Sequence, residues 1–396
     1  MHPSEEIYCE KSNRMSGKTI VLGITGSIAA VECFHLIREL VRNGAKVIPV
    51  MSQAAVKLVA PDAIEFASGI KPITEIGGQT EHIKYLGDSS DADLFLIYPA
   101  TANTISKIAN GIDDTPVTTM ATVALGGGVP MAVAPAMHGA MLNNPAVDAN
   151  LKTLRSWGVN VIGPYMKDGR AKVASVNEVV AWATRLLSRD DLIGKKILVI
   201  GGRSEEPLDS MRLITNRSTG MMAVALAQRA FERGAEVDLW MGGCNTVLPE
   251  YLHVRRYASV SDLIAMLDDV KHDVVIVPAA LADFTPENTF EGKIPSDKGF
   301  DMLLKPVPKV LPLLRERCDM VIGYKAESGL PRNDLVARAR KRLEQFDLAA
   351  VIANDIDSAG KTSASMLLVT RDKVTDISGT KPAISEEILN FVSEKI

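Results

Sequence analysis

Cysteine is scarce in this chain of 396 residues: the four present, Cys9, Cys33, Cys244 and Cys318, lie far apart, and no C-x-x-C pair occurs. That spacing excludes a zinc ribbon and a disulfide framework and suits a reducing compartment, so a cytoplasmic location is expected. No apolar run long enough to cross a bilayer occurs without a charge or a turn signal, so no membrane span is expected. Neither sign of charge dominates: 44 Lys and Arg against 48 Asp and Glu leave a formal net charge of −4, which gives no basis for nucleic-acid binding. Residues 1–16, "MHPSEEIYCEKSNRMS", lack an apolar stretch and are expected to form a disordered extension.

What is present is a globular composition, 46% hydrophobic and 23% charged, in a chain long enough for two or three domains. From "TIVLGITG" onward, short continuous apolar runs alternate with amphipathic helices, the pattern of a parallel sheet covered on both faces. Near residue 190 the pattern restarts at "DLIGKKILVIGG". The expected fold is α/β, with two doubly wound parallel-sheet domains over 17–189 and 190–396. The halves echo each other: "RNGAKVIPVMS" matches "ERGAEVDLWMG", and "DADLFLIYPATA" matches "KHDVVIVPAALA". Duplication and the shared grammar of strand–helix units both account for the echo.

Ligands of such sheets sit at the carboxyl ends of the strands, where unusual residues cluster here. "VLGITGSIAA" runs from a strand through a glycine turn into a helix, offering free N–H groups to a phosphate. Its spacing is not G-x-G-x-x-G, and no acidic residue closes the next strand, so a dinucleotide is not indicated. Gly26, Ser27 and Ser52 (in "VMSQAA") suit a single phosphate, and Thr101 and Asn103 (in "PATANTISKIAN") suit a polar ring edge. Serine and threonine at such places also cap helices. His82 lies in "TEHIKYL", and a lone histidine is ordinarily structural or exposed. In the second half, the insertion "GGRSEEPLDSMRLITNRSTGMMA" places Asn216, Ser218 and Gly220 just before a helix, where anions bind. "PAALADF" places Asp283 after a buried strand, and "FEGKIP" places Lys293 in a loop, suited to a triphosphate as a point charge.

The stretches "GITGSIAA", "EHIKYLGDSSDADLFLIYPATANTISKIANGI" and "APAMHGAMLNNP" resemble the flavin-binding cysteine decarboxylase family. The resemblance implies FMN as cofactor, a flavodoxin-like domain, His82 as the base, and "PAMHGAM", with His138 and Met141, as the substrate loop. The "PLD", "R-x-I-x-N-x-S-x-G", "AA-x-AD" and "KI" signatures resemble the phosphopantothenate–cysteine ligase domain, Rossmann-like in fold. That likeness implies that Asn216 contacts an acyl-cytidylate, Lys293 acts on the nucleotide, Asp283 meets CTP, and Tyr324 packs on it. From about residue 17 the whole chain resembles the bifunctional coenzyme A biosynthesis family. Its implied reactions are CTP-dependent joining of 4'-phosphopantothenate to cysteine, then FMN-dependent decarboxylation to 4'-phosphopantetheine. Mg²⁺ would act through CTP phosphates, and no dedicated metal motif is seen. The implied assembly is trimers of the flavin domain and dimers of the ligase domain, without membrane or nucleic-acid partners.

Three departures accompany the match. His138 stands where the bacterial pattern has asparagine, and it can donate the same hydrogen bond. The flap "GPYMKDGRAKVAS" has no cysteine to protonate the product enethiolate, which leaves Tyr165, Lys167, Lys172 or water. "KIPS" stands where "KIKK" is common. The missing cysteine keeps an alternative open: an active ligase whose impaired decarboxylase domain serves as an FMN-binding or assembly module. A regulatory flavoprotein without catalysis is the third reading, opposed by Asn216, Asp283 and Lys293 together.

Overall fold

The computed structural model describes residues 2–167, 170–295, 299–355 and 363–396, with the side chains of 165–171 outside the description. It divides into two compact units, Met1–Arg189 and Asp190–Ile396.

In the first unit, strands β1 (Thr19–Ile24), β2 (Lys46–Met51), β3 (Leu94–Ala100), β4 (Met131–Pro135) and β5 (Asn160–Val161) form one parallel sheet in the order β2-β1-β3-β4-β5. Every residue of β1, β3 and β4 is buried. Ile20, Leu22, Ile24, Leu94 and Leu96 face one hydrophobic core, and Val21, Phe95 and Ile97 face another. That two-sided burial explains the continuous apolar runs. With about 1.5–3 kcal/mol from each large side chain so placed, a one-residue slip in register would be prohibitive. A hairpin of β6 (Tyr165–Lys167) and β7 (Arg170–Lys172) follows β5.

Residues 2–16 correct the expectation of disorder. His2 caps a short helix, Pro3–Glu6, by accepting the Ser4 N–H at 3.2 Å. Cys9, Lys11 and Met15 donate their N–H groups to the carbonyls of Val41, Arg42 and Asn43 at 3.3, 3.0 and 2.9 Å. Lys11 pairs with Glu39, Arg42 pairs with Glu10, and Met15 is fully buried. The segment is polar because it pairs with helix-end carbonyls and charges. Ile7 and Met15 carry its hydrophobic docking among the described residues, and the His2 ring lies edge-on to Phe66.

In the second unit, β8 (Lys196–Gly201) is followed by a small hairpin, β9 (Glu205–Pro207) and β10 (Leu213–Thr215). Then come β11 (Glu236–Met241), β12 (His253–Arg256), β13 (Val274–Val277), a second hairpin of β14 (Phe284–Pro286) and β15 (Leu304–Pro306), β16 (Met320–Glu327), β17 (Ala350–Asp355), β18 (Ser363–Val369) and β19 (Val374–Thr380). The main sheet runs β12-β11-β8-β13-β16-β17-β18-β19. It is parallel through β17, and β18 and β19 extend it antiparallel. The doubly wound expectation holds for both units. The antiparallel edge and the hairpin arms are additions that alternation alone did not announce.

Candidate active sites

Each sheet reverses its strand order once about its first strand, and each reversal sits beneath a cluster of the residues singled out above. In the first unit the switch point lies between β1 and β3. Thr25, at the end of β1, is buried; its hydroxyl donates to the Pro99 carbonyl at 2.6 Å and accepts the Thr101 N–H at 3.1 Å. This one side chain locks the two strand ends together, though sequence reasoning passed over it. Gly26 then presses on the next turn: a Cβ there would lie 2.4 Å from the Ala54 Cβ. Ser27 caps the 3-10 helix Ile28–Glu32 by accepting the Ala29 N–H at a loose 3.4 Å. Ser52 caps Gln53–Val56 through the Ala55 N–H at 3.3 Å, and Thr101 caps Ala102–Ala109 through the Thr104 N–H at 3.2 Å. All three hydroxyls therefore cap helices, and they also gather with Gly26 and the exposed Asn103 amide at adjacent strand ends.

His138 and Met141 follow β4. The exposed His138 caps Gly139–Leu142, its Nδ1 accepting the Ala140 N–H at 3.3 Å, which places the ring proton of the neutral form on the outward Nε2. Met141 is half exposed. The β6–β7 hairpin packs beside this turn. Tyr165 and Lys167 have side chains outside the described residues; Lys172 is exposed. His82 stands apart, in the first turn of the helix Glu81–Leu86, which packs on the helix Pro116–Gly127. Its Nδ1 is buried with no hydrogen-bond partner among the described residues. Such an atom has nothing to repay its desolvation.

The second unit's switch point lies between β8 and β13. The loops after these strands are fastened to each other. Ser204 is fully buried: its N–H donates to the Ala280 carbonyl at 3.2 Å and its hydroxyl accepts the Ala282 N–H at 2.9 Å. Asn216, otherwise exposed, donates its side-chain amide to the same Ala280 carbonyl at 3.0 Å. The Arg203 guanidinium reaches the Ser218 carbonyl at 2.9 Å and the Asn245 side chain at 2.8 Å. Gly220 opens the helix Met221–Glu232 at φ +81° with no side-chain cap, and a Cβ there would lie 2.9 Å from the Cys244 Cβ. The Met221 N–H donates to the Thr219 hydroxyl at 3.5 Å, and such a helix start is where anions bind. Asp283 is exposed and paired with Lys309, and Lys293 is exposed. The Tyr324 hydroxyl is buried without a hydrogen-bond partner among the described residues, and burial pushes its phenol well above the ordinary value. Burial depresses the pKa of Arg342, also unmarked in sequence, and the charges of Asp283 and Glu327 partly offset this. Among the described residues there is no three-ligand metal cluster and no helix long and apolar enough to cross a membrane.

Residues 9–188 match the family described as Flavoprotein, and residues 192–396 match the DNA/pantothenate metabolism flavoprotein C-terminal domain. Over 382 residues the chain is 43% identical to the coenzyme A biosynthesis bifunctional protein of Thermococcus kodakarensis, covering 94% of each chain. The protein of that name from Methanocaldococcus jannaschii is 34% identical over 404 residues, covering 100% of this chain and 98% of the relative. That of Bacillus subtilis is 31% identical over 364 residues, covering 87% and 88%. The chain belongs to this family. It is a bifunctional enzyme of coenzyme A biosynthesis, a flavoprotein decarboxylase and a ligase in one polypeptide.

Proposed function

We propose that the second unit joins 4'-phosphopantothenate to cysteine at the expense of CTP, and that the first decarboxylates the product with FMN to give 4'-phosphopantetheine. The observation that carries this reading is the pair of strand-order reversals, each with its own set of anion- and substrate-facing groups.

In the first unit the residues fit FMN. Gly26 lets the turn lie close, Ser27 and Ser52 stand at the first two strand ends for a phosphate, and Thr101 and the exposed Asn103 stand at the third for a ring edge. Bound FMN supplies an electron sink for loss of CO₂ from a carboxylate that has none of its own. The protein's part is orientation and proton handling. His82 takes the substrate proton, the outward Nε2–H of His138 holds a carboxylate, and Met141 walls the apolar arm. The flap hairpin supplies the returning proton, with Lys172, Lys167 or Tyr165 as its donor.

In the ligase, the 4'-phosphopantothenate carboxylate attacks the α-phosphorus of CTP and pyrophosphate leaves. The cysteine amine then displaces CMP from the acyl-cytidylate. Ser218 and Gly220 hold an anion at the helix start, Lys293 stabilises charge on the phosphates, and Asp283 and Tyr324 meet the nucleotide. Asn216 holds the acyl group, exchanging its bond to Ala280 for one to the intermediate. Mg²⁺ would come with the CTP phosphates, whose charge it would offset, since such ions are usually held by substrate oxygens. The reading places the enzyme in the cytoplasm as an oligomer, trimeric through the flavin unit and dimeric through the ligase unit. Ile28 and Val31, 75% and 48% exposed, and Phe284, Phe290, Phe300 and Leu303 on and beside the second hairpin arm give each unit apolar surface for a second copy of this chain.

The test separates the halves. Pyrophosphate release should require CTP, 4'-phosphopantothenate and Mg²⁺ and survive His82→Asn. Decarboxylation of supplied phosphopantothenoylcysteine should require FMN and survive Asn216→Ala. Loss of both activities in either variant would overturn the assignment.

A further inference from the structure

The segment that carries Lys293 is not held by its own secondary structure. It runs as a strap from Phe290 to Pro295 along the turn Pro207–Arg212. The Phe290 N–H donates to the Leu208 carbonyl, the Ser210 N–H to the Gly292 carbonyl, and the Arg212 guanidinium to the Ile294 carbonyl, each at 3.0 Å. Asp209 makes the fourth link, and its two oxygens divide their work. Oδ1 accepts the Met211 and Arg212 N–H groups, at 2.8 and 2.6 Å, and so closes its own turn. Oδ2 accepts the Ile294 N–H at 3.0 Å and the Arg212 guanidinium at 2.9 Å, and so holds the strap. The side chain has no solvent exposure. Links at Gly292 and Ile294 pin the backbone on both sides of Lys293, while its ammonium stays exposed.

We infer that Asp209 is a positioning residue for the ligase reaction: it fixes the backbone of Ile294 so that Lys293 meets the nucleotide phosphates. This rests on the reading of Lys293 given above. A flexible lysine makes a poor electrostatic catalyst unless its base is fixed, because stabilisation that needs reorganisation is lost from the rate. Asp209 fixes that base from more than 80 residues away in sequence.

The division of labour between the oxygens supplies a selective variant. Asp209→Asn can keep Oδ1 and its turn, but it sets an amide N–H₂ against the Ile294 N–H and the Arg212 guanidinium. Two readouts follow, with decarboxylation by the same molecules reporting that the chain is folded. Hydrogen exchange in a peptide covering Glu291–Pro295 should quicken in Asp209→Asn and return toward the parent rate in Asp209→Glu, which restores the charge. The kcat of CTP-dependent pyrophosphate release should fall about 10-fold in Asp209→Asn and about 100-fold in Lys293→Gln. In the double variant, Asp209→Asn should cost less than about 2-fold beyond Lys293→Gln, because it acts through that lysine. Unchanged exchange would overturn the strap. Costs that multiply in the double variant would overturn the positioning role. Full activity of Lys293→Gln would instead remove the assigned role of Lys293, leaving exchange to judge the strap alone.

Discussion

In both units the opening strand is flanked in the same way. β1 lies between β2 and β3, and β8 lies between β11 and β13. The two sequence echoes occupy these flanks: "RNGAKVIPVMS" and "ERGAEVDLWMG" supply β2 and β11, and "DADLFLIYPATA" and "KHDVVIVPAALA" supply β3 and β13. What differs is the join between the first strand and its helix. In the first unit it is a tight turn, and a single hydroxyl, Thr25, ties it across the switch point. In the second, nineteen residues including a hairpin intervene between Gly201 and the helix that begins at Met221. Ser204 and Asn216 bind them to the loop after β13, Asp209 to the strap between β14 and β15, and Thr215 to Ser204. A short rigid join suits a cofactor that stays. A long clasp, rich in side chains, suits three substrates that come and go. On the proposed reading, the sheet places the site in each unit and the join adapts it to its ligands.

That contrast can be broken from either side. The largest effect belongs to His82. Replacing it with Asn should cut decarboxylation by about 100-fold or more, the scale of a lost general base, with ligase turnover unaltered in the same preparation. Next comes Asn216→Ala, which should cost the ligase about 10- to 100-fold and leave decarboxylation intact. A matching loss of decarboxylation would show that the units do not divide the work. The joins themselves are compared by Gly26→Ala. Its Cβ would meet Ala54 at 2.4 Å, so the first unit should lose about 1–3 kcal/mol and retain less flavin after gel filtration. Unchanged retention would refute the close-approach argument.

A smaller effect is expected from acid. The Asp209 carboxyl is held down at about 2, chiefly by the Ile294 N–H and further by the Met211 and Arg212 N–H groups. Its folded pKa lies below the ordinary 3.8, so its contribution is complete above that range and fades as pH falls toward about 2. Exchange of the Glu291–Pro295 peptide, corrected for the chemical pH dependence, should therefore lose protection between pH 4 and 2 in the parent chain. Asp209→Asn should show no such step.

Much of this was legible in the residues alone. The buried parallel strands announce themselves because both faces are covered, and the glycine turns mark the strand ends. Gly26 and Ser27 follow that glycine-turn signal, whereas Asn216 stood out in a polar cluster before a helix and Lys293 chiefly through the resemblance of its "KI" motif. Thr25, Ser204 and Asp209 were not, because each is a polar residue with a partner 74 or more residues away, a distance no local pattern encodes. The hairpin arms escaped because three-residue strands carry no continuous apolar run, and the β18–β19 edge because β19 has none and β18 has only Met366–Val369. The N-terminal segment escaped because it docks through carbonyls and ion pairs.

The most direct test of two working sites in one chain is to supply the purified protein with 4'-phosphopantothenate, cysteine, CTP and Mg²⁺ and weigh the products by mass spectrometry. The account predicts 4'-phosphopantetheine, lighter than the cysteine adduct by one CO₂, together with CMP and pyrophosphate. Accumulation of phosphopantothenoylcysteine with FMN bound and no loss of CO₂ would contradict it, leaving a working ligase joined to a silent flavin unit.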